Sequence, residues 1–162
     1  MPDNATPEYK QTYDSKRVIT SGAGSMRFLN RLVVPLTKLG LGLLGSRVLS
    51  VRGRKSGEWR STPVSLIVLD GQRYLVAPRG HTQWVRNLRA TPEARLQLGR
   101  TTETFRAEEI ADAEKTLVLR RYIKLWSMEL KTFFDGDVTK NSPDEVLHHI
   151  APGVPVFAIH PA

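Results

Sequence analysis

A chain of 162 residues, 40% hydrophobic and 25% charged, is one ordinary domain with enough apolar side chains to bury a core unaided. The absence of cysteine excludes disulfides, thiolate metal sites and a cysteine nucleophile. The net charge of +8 sits in the middle of the chain: residues 47–106 carry twelve Lys and Arg against four acids, while the flanks, six against three before and six against nine after, cancel. Charge concentrated in this way favours an anionic partner, whether nucleic acid, acidic lipid or a phosphorylated cofactor. The first residues lack the charged-then-apolar order of a signal peptide, and no apolar run approaches the roughly 18 to 20 residues of a membrane span, so a cytoplasmic location is expected.

In chain order, residues 1–25 are polar, show no sustained period and read as a flexible segment, with 26–162 as a single domain. From Met26 to Leu44 the apolar residues Met26, Leu29, Leu32, Val33, Leu36, Leu39 and Leu43 recur at helical spacing, an amphipathic helix with Pro35 inside it. It packs on its own domain or lies on a membrane surface; the pattern allows both. Gly40-Leu41-Gly42-Leu43-Leu44-Gly45 matches the dinucleotide fingerprint letter for letter, yet a helix precedes it and a strand follows. The fingerprint works only where a strand delivers the glycines to a helix N-terminus, so these glycines are expected to end a helix and to have no cofactor role.

Strands follow at Val48–Arg52, Arg60–Leu69 and Gln72–Ala77, with turns at Arg54–Gly57 and at Asp70-Gly71. Thr82 can cap a short helix running to Ala90, and Ala94–Leu98 with Thr102–Ile110 form another strand pair. A helix is expected from Ala111 to Met128, a short one over Pro143–Ile150, and a last strand over Val154–His160. Hairpin-connected strands with one inserted helix and further helices after them make an α+β barrel rather than a parallel sheet.

Motifs for common chemistries are missing. His81, His148, His149 and His160 form no helical pair with an acid at ligand spacing, so no metal is expected, and neither a hydrolase nucleophile elbow nor a phosphate-binding P-loop occurs. What remains is Arg52-Gly53-Arg54-Lys55-Ser56-Gly57-Glu58-Trp59-Arg60 between two strands. Two glycines permit a tight turn, with Arg54, Lys55, Arg60 and the Ser56 hydroxyl as anion donors; a solvated hairpin tip is the bland alternative. A second cluster runs from Ala77 through Pro78, Arg79, Gly80 and His81 into the helix that carries Trp84 and Asn87. A glycine-containing loop entering a helix N-terminus is a second anion or ring-edge site, although Trp84 serves equally well as a core anchor.

The composite from Val48 to Leu98, with its Gly-Arg-Lys-Ser-Gly turn, Arg60, Thr62-Pro63, Asp70-Gly71, Ala77-x-Arg79-Gly80 and Trp84-x-x-Asn87-Leu88-x-x-x-Pro92, resembles the deazaflavin-dependent nitroreductases. The resemblance implies a split β-barrel of the FMN-binding type with an N-terminal amphipathic helix and flanking helices. It also implies coenzyme F420, whose phosphate and oligoglutamate tail would explain the basic centre. Carried over by position, Arg54, Lys55, Ser56, Gly57 and Arg60 hold the phosphate and tail. Thr62, Pro63 and Val64 line one side of the ring, and Ala77, Pro78, Arg79 and Gly80 with Trp84, Asn87 and Leu88 complete the pocket.

The implied reaction is hydride transfer from reduced F420 to a hydrophobic, electron-poor acceptor such as a quinone, an activated alkene or a nitro compound. Water supplies the proton, with Tyr122 as the side-chain candidate. Pro78 stands where relatives often carry a small hydroxyl. Tyr122, Trp126, Met128, Phe133 and Phe134 stand where the best-known members cluster tyrosines, so prodrug nitroreduction is not assumed. Trp126 with Phe133 or Phe134 is expected to wall the acceptor pocket, the competing account being that they are core. A basic module for nucleic acid or acidic membrane, and an FMN protein of the same fold, are the alternatives. For the enzyme reading, nucleic acid is not an expected partner, and both monomer and homodimer stay open.

Overall fold

The computed structural model describes residues 9–19, 46–127, 130–136 and 138–162. The expected helix at Met26–Leu44, the glycines Gly40, Gly42 and Gly45, and Met128 lie outside the described residues. Six strands close into an antiparallel barrel in the order β1-β2-β3-β6-β5-β4, with β4 pairing back onto β1. They are β1 (Ser46–Arg52), β2 (Trp59–Leu69), β3 (Gln72–Val76), β4 (Glu93–Leu98), β5 (Thr101–Glu109) and β6 (Val156–Pro161). Closure removes the free edges that an open sheet of these β-branched segments would expose. The β2–β3 hairpin turns at Asp70 (φ 51°) and Gly71 (φ 78°), the two consecutive positive angles that a type I′ turn requires.

Strand alternation divides the apolar residues into two clusters. Leu49, Val51, Val64, Leu75, Leu96 and Phe105 fill the barrel interior together with Val85 and Leu88 of helix α1 (Gln83–Ala90), so α1 plugs one end of the barrel. The opposite face of β2 and β3 offers Ile67 and Val76 to helices α2 (Thr116–Leu125), α3 (Leu130–Phe133) and α4 (Asp144–Ile150), which form the second cluster.

Two expectations change. The helix expected from Ala111 to Met128 is divided: a 3₁₀ turn occupies Asp112–Glu114 and α2 begins at Thr116. Lys115 at the junction is buried because its ammonium donates to the Asp112 carboxylate (2.7 Å) and the Ala151 carbonyl (2.8 Å), a satisfied buried cation that a continuous amphipathic pattern does not reveal. Within the segment 1–25, expected to be flexible, residues 9–19 are instead docked on the body. Tyr13 and Arg17 are both 6% exposed, and Val18 forms a β-bridge with Gly80. Several of their partners are distant in sequence, with Arg17 bonded to the Pro78 and Gly153 carbonyls and Tyr13 to Asp135, beyond the reach of any local pattern.

Candidate functional site

β1 and β2 remain paired out to Arg52↔Trp59, so Gly53–Glu58 must reverse the chain tightly. The Gly53 amide donates to the Glu58 carbonyl and the Gly57 amide to the Gly53 carbonyl, both at 2.8 Å. Gly57 has φ +72°, which favours glycine, and a Cβ at Gly53 would lie 2.7 Å from Ser56 Oγ and 3.4 Å from the Glu58 carbonyl oxygen, so a side chain there would have to displace the serine hydroxyl. Lys55, Ser56 and Gly57 face solvent. Among the described residues Lys55 has no hydrogen bond or ion pair, and exposed Arg60 has only a long 3.4 Å contact with Glu58.

Arg54 behaves differently. Its backbone amide donates to Asn87 Oδ1 (3.2 Å), and its guanidinium donates to the same oxygen (2.9 Å) and to Gln83 Oε1 (2.8 Å). Asn87 is buried, so its oxygen is a fixed point of α1 to which the first turn is tied. Sequence placed Arg54 and Asn87 in separate parts of the pocket; the structure joins them directly.

The second loop is mostly interior. Ala77, Gly80 and His81 are buried, and Gly80 adopts φ +88°. The Arg79 side chain donates twice to the Ile19 carbonyl, at 2.7 and 3.1 Å. Thr82 occupies the N-cap position of α1 without making a side-chain cap, and its Oγ1 is buried with no partner among the described residues. The first turn of α1 carries no acid. An N-terminus of this kind leaves backbone N–H groups and a hydroxyl uncompensated, which suits an anion.

The two regions meet at the end of the barrel that α1 plugs. Arg60, Thr62 and Val64 share one face of β2, and Val64 packs in the interior cluster with Ala77, Leu88 and half-buried Trp84. Trp84 leans on Phe157 with ring centroids 5.9 Å apart, so it acts as a wall of that cluster. Pro63 belongs to the outer face of β2 and is half-buried. The outer face also carries an arrangement missed in the sequence: Trp59 lies between the guanidiniums of Arg52 and Arg95, each 4.2 Å from its ring centroid. Arg95 comes from β4, so only the strand register could have revealed it.

The three aromatic residues expected beside an acceptor are not equivalent. Trp126 and Phe134 are buried in the helical cluster with Tyr122, which has no exposed surface. Tyr122 packs 6.4 Å from both rings, Phe134 stacks 6.4 Å from Tyr13, and Trp126 Nε1 is buried without a partner. This is the core arrangement. Phe133 alone among the three is half-buried at the edge of the cluster.

Burial of a cation dominates the electrostatics beside the second loop. Desolvation pulls Arg17 below its ordinary value, opposed by Tyr13 and Asp135. Burial pushes the Tyr13 phenol up to about 12, despite a backbone hydrogen bond from Asp135. No group of His, Cys, Asp and Glu that could hold a metal occurs among the described residues. No described helix is long and apolar enough to cross a membrane.

Solved structures with this fold include a chain described as a domain-swapped dimer, 19% identical, with 85% of this chain and 94% of that one covered at a TM-score of 0.52. Protein Atu2129 of Agrobacterium tumefaciens, of unknown function, is also 19% identical, with 88% of this chain but only 57% of that one covered, at 0.52. An F420-H2 dependent reductase, FDR-A, is 20% identical, with 72% and 94% covered at 0.48. At such identities the likeness is one of fold, the split barrel. The sequence profile of the F420H(2)-dependent quinone reductases matches residues 31–132, which span the first turn, the second loop, α1 and α2. The chain therefore belongs to the F420H2-dependent quinone reductase family and is an F420-dependent reductase.

Proposed function

We propose that the protein transfers hydride from reduced F420 to a hydrophobic, electron-poor acceptor, a quinone foremost, with activated alkenes and nitro compounds in the same chemical class. The observation that carries the cofactor site is the tie between Arg54 and Asn87, which holds the first turn against α1 while leaving Lys55 and Arg60 without strong partners. The residues fit a polyanion: the exposed cations Lys55 and Arg60 belong to a turn tied by Arg54 to α1, whose start carries no acid and whose Thr82 hydroxyl has no partner among the described residues.

Lys55, Ser56 and Arg60 would hold the phosphate and tail, with Gly57 allowing close approach and Arg54 bracing the turn from behind. Thr62, Pro63 and Val64 on β2 would flank the ring. Ala77, Pro78 and Gly80 would offer backbone groups to its edge, and Trp84, Asn87 and Leu88 would close the pocket. Arg79, engaged with Ile19, would contribute through its backbone. When bound, the cofactor supplies the hydride; the protein orients it and keeps water from the ring. Phe133 would meet the acceptor, whereas Trp126 and Phe134 would support it from the core. Full burial of Tyr122 favours water as the source of the product's proton.

Incubating the purified chain with reduced F420 and menadione, with flavin mononucleotide in a parallel arm, tests this reading. Quinone-dependent oxidation of F420 is expected. Binding of flavin mononucleotide in preference to F420, or no turnover of reduced F420 by any acceptor of the class, would overturn it.

A further inference from the structure

Arg17 is the most connected side chain outside the proposed pocket. Its guanidinium donates to the Pro78 carbonyl (2.8 Å), the Gly153 carbonyl (2.9 Å), the Phe133 carbonyl and Gln11 Oε1 (3.3 Å). It lies 4.8 Å from the Tyr13 ring centroid and 5.4 Å from that of Phe134. Its own carbonyl accepts from the His81 amide (2.8 Å), while Ile19 exchanges hydrogen bonds with both the backbone and side chain of Arg79. Residues 17–19 thus run antiparallel beside Arg79–His81, joined by an isolated β-bridge between Val18 and Gly80. A Cβ at Gly80 would fall 2.1 Å from the Arg17 carbonyl oxygen, so glycine is what permits the approach.

A loop whose backbone must meet a ring edge has to be held before the ligand arrives, or binding pays for its ordering. Apart from the strap, the backbone of Ala77–His81 is held by short-range turn bonds, Gly80 to Ala77 and Thr82 to Gly80, and by the bond of the Ala77 amide to the Pro155 carbonyl, while the His81 ring meets the Pro152 carbonyl and the His81 carbonyl accepts from Arg86. We infer that Arg17 is a positioning residue for the cofactor, fixing the Pro78–His81 backbone through the strap 9–19 in the geometry that F420 requires. This rests on the assignment of Ala77–Gly80 to the F420 pocket. Arginine is needed because its planar fork serves carbonyls from β3's exit, from α3 and from the turn before β6 at once, which a lysine ammonium on one point cannot do. Phe133, proposed to meet the acceptor, hangs by its carbonyl from the same guanidinium, so the strap links both halves of the site.

The full chain carrying Arg17→Lys is to be compared with Val118→Ala, a core truncation in α2, and with Lys55→Ala, by Tm, F420 fluorescence titration and steady-state kinetics. Arg17→Lys should raise the F420 Kd and the KM for reduced F420 at least tenfold with kcat within about twofold. Val118→Ala should lower Tm and leave Kd unchanged, separating positioning from stability. In the wild-type chain, saturating F420 should slow hydrogen exchange of the Ile19 and His81 amides, a measurement that stands even if Arg17→Lys does not fold. A folded Arg17→Lys with wild-type affinity, or amides unmoved by F420, overturns the inference. If Lys55→Ala weakens F420 while those results hold, the strap inference alone fails; if Lys55→Ala also binds normally, the pocket assignment fails with it.

Discussion

The first turn and the second loop belong to one proposed pocket but are held in opposite ways. Gly53–Arg60 is mostly exposed, closes on its own backbone, and is tied to α1 through Arg54 and to Arg95 of β4 through Trp59. Ala77–His81 is largely buried and takes its shape from residues 17–19 and from Gly153 through Arg17. Charge can be displayed on the first because Lys55 and Arg60 are exposed. Backbone groups can be displayed on the second only because a distant segment immobilises them. Changes in the first should therefore act on binding with little effect on stability, and changes around the second on both.

The largest effect is expected beneath the strap. Phe134→Ala removes a buried ring packed against Tyr13, Tyr122 and Arg17, and should cost roughly 3 to 5 kcal/mol in urea unfolding. A loss under about 1 kcal/mol would mean the ring is not part of a packed core. At the loop itself, Gly80→Ala forces a side chain into positive φ and against the Arg17 carbonyl, costing about 1 to 3 kcal/mol for the strain alone. It should also expose the Ile19 amide to exchange, and a variant as stable as wild type would deny the close approach.

A pH dependence sharpens the same side of the comparison. The Tyr13 phenol has its folded value raised from 10.0 to about 12, so the unfolded chain ionises first. The stability it contributes is complete below about pH 10 and is lost as pH rises towards 12, by roughly 2 to 3 kcal/mol. Urea midpoints across that interval should fall in the wild type and fall less in Tyr13→Phe. Equal slopes would remove Tyr13 as the source. The smallest effect on the fold is expected at the first turn, where Lys55→Ala and Arg60→Ala should each change stability by less than about 0.5 kcal/mol. Each should nevertheless weaken F420 binding by about 1.5 to 3 kcal/mol, more at low salt. Unchanged affinity in both would remove the turn from the pocket.

Much of this was legible locally. Asp70-Gly71 announced its hairpin because two positive φ angles admit few residues, and the β strands appeared within a residue or two of their bounds because alternation is a local property. The basic turn could be read because its charges are consecutive. Trp126 and Phe134 were harder: a large apolar residue at the end of a helix has the same sequence signature in a core as in a pocket wall, and the structure shows both buried against Tyr122, Phe134 also against Tyr13. The tie of Arg79 to the Ile19 carbonyl could not be foreseen, because a backbone carbonyl carries no side-chain signal.

By itself, then, the sequence determined the strand segments of an α+β barrel, the place of its turns, a concentration of positive charge that favours an anionic partner and the resemblance that pointed to F420, all of which follow from neighbouring residues, spacing and charge. The tertiary structure alone decided that Arg54 is spent on Asn87, that Arg79 donates to the Ile19 carbonyl, and that a polar stretch at residues 9–19 becomes a strap with a buried arginine at its centre. The physical reason is the same in each case. Backbone carbonyls are identical at every position in a sequence, and which of them meets a given guanidinium is known only once the chain has folded.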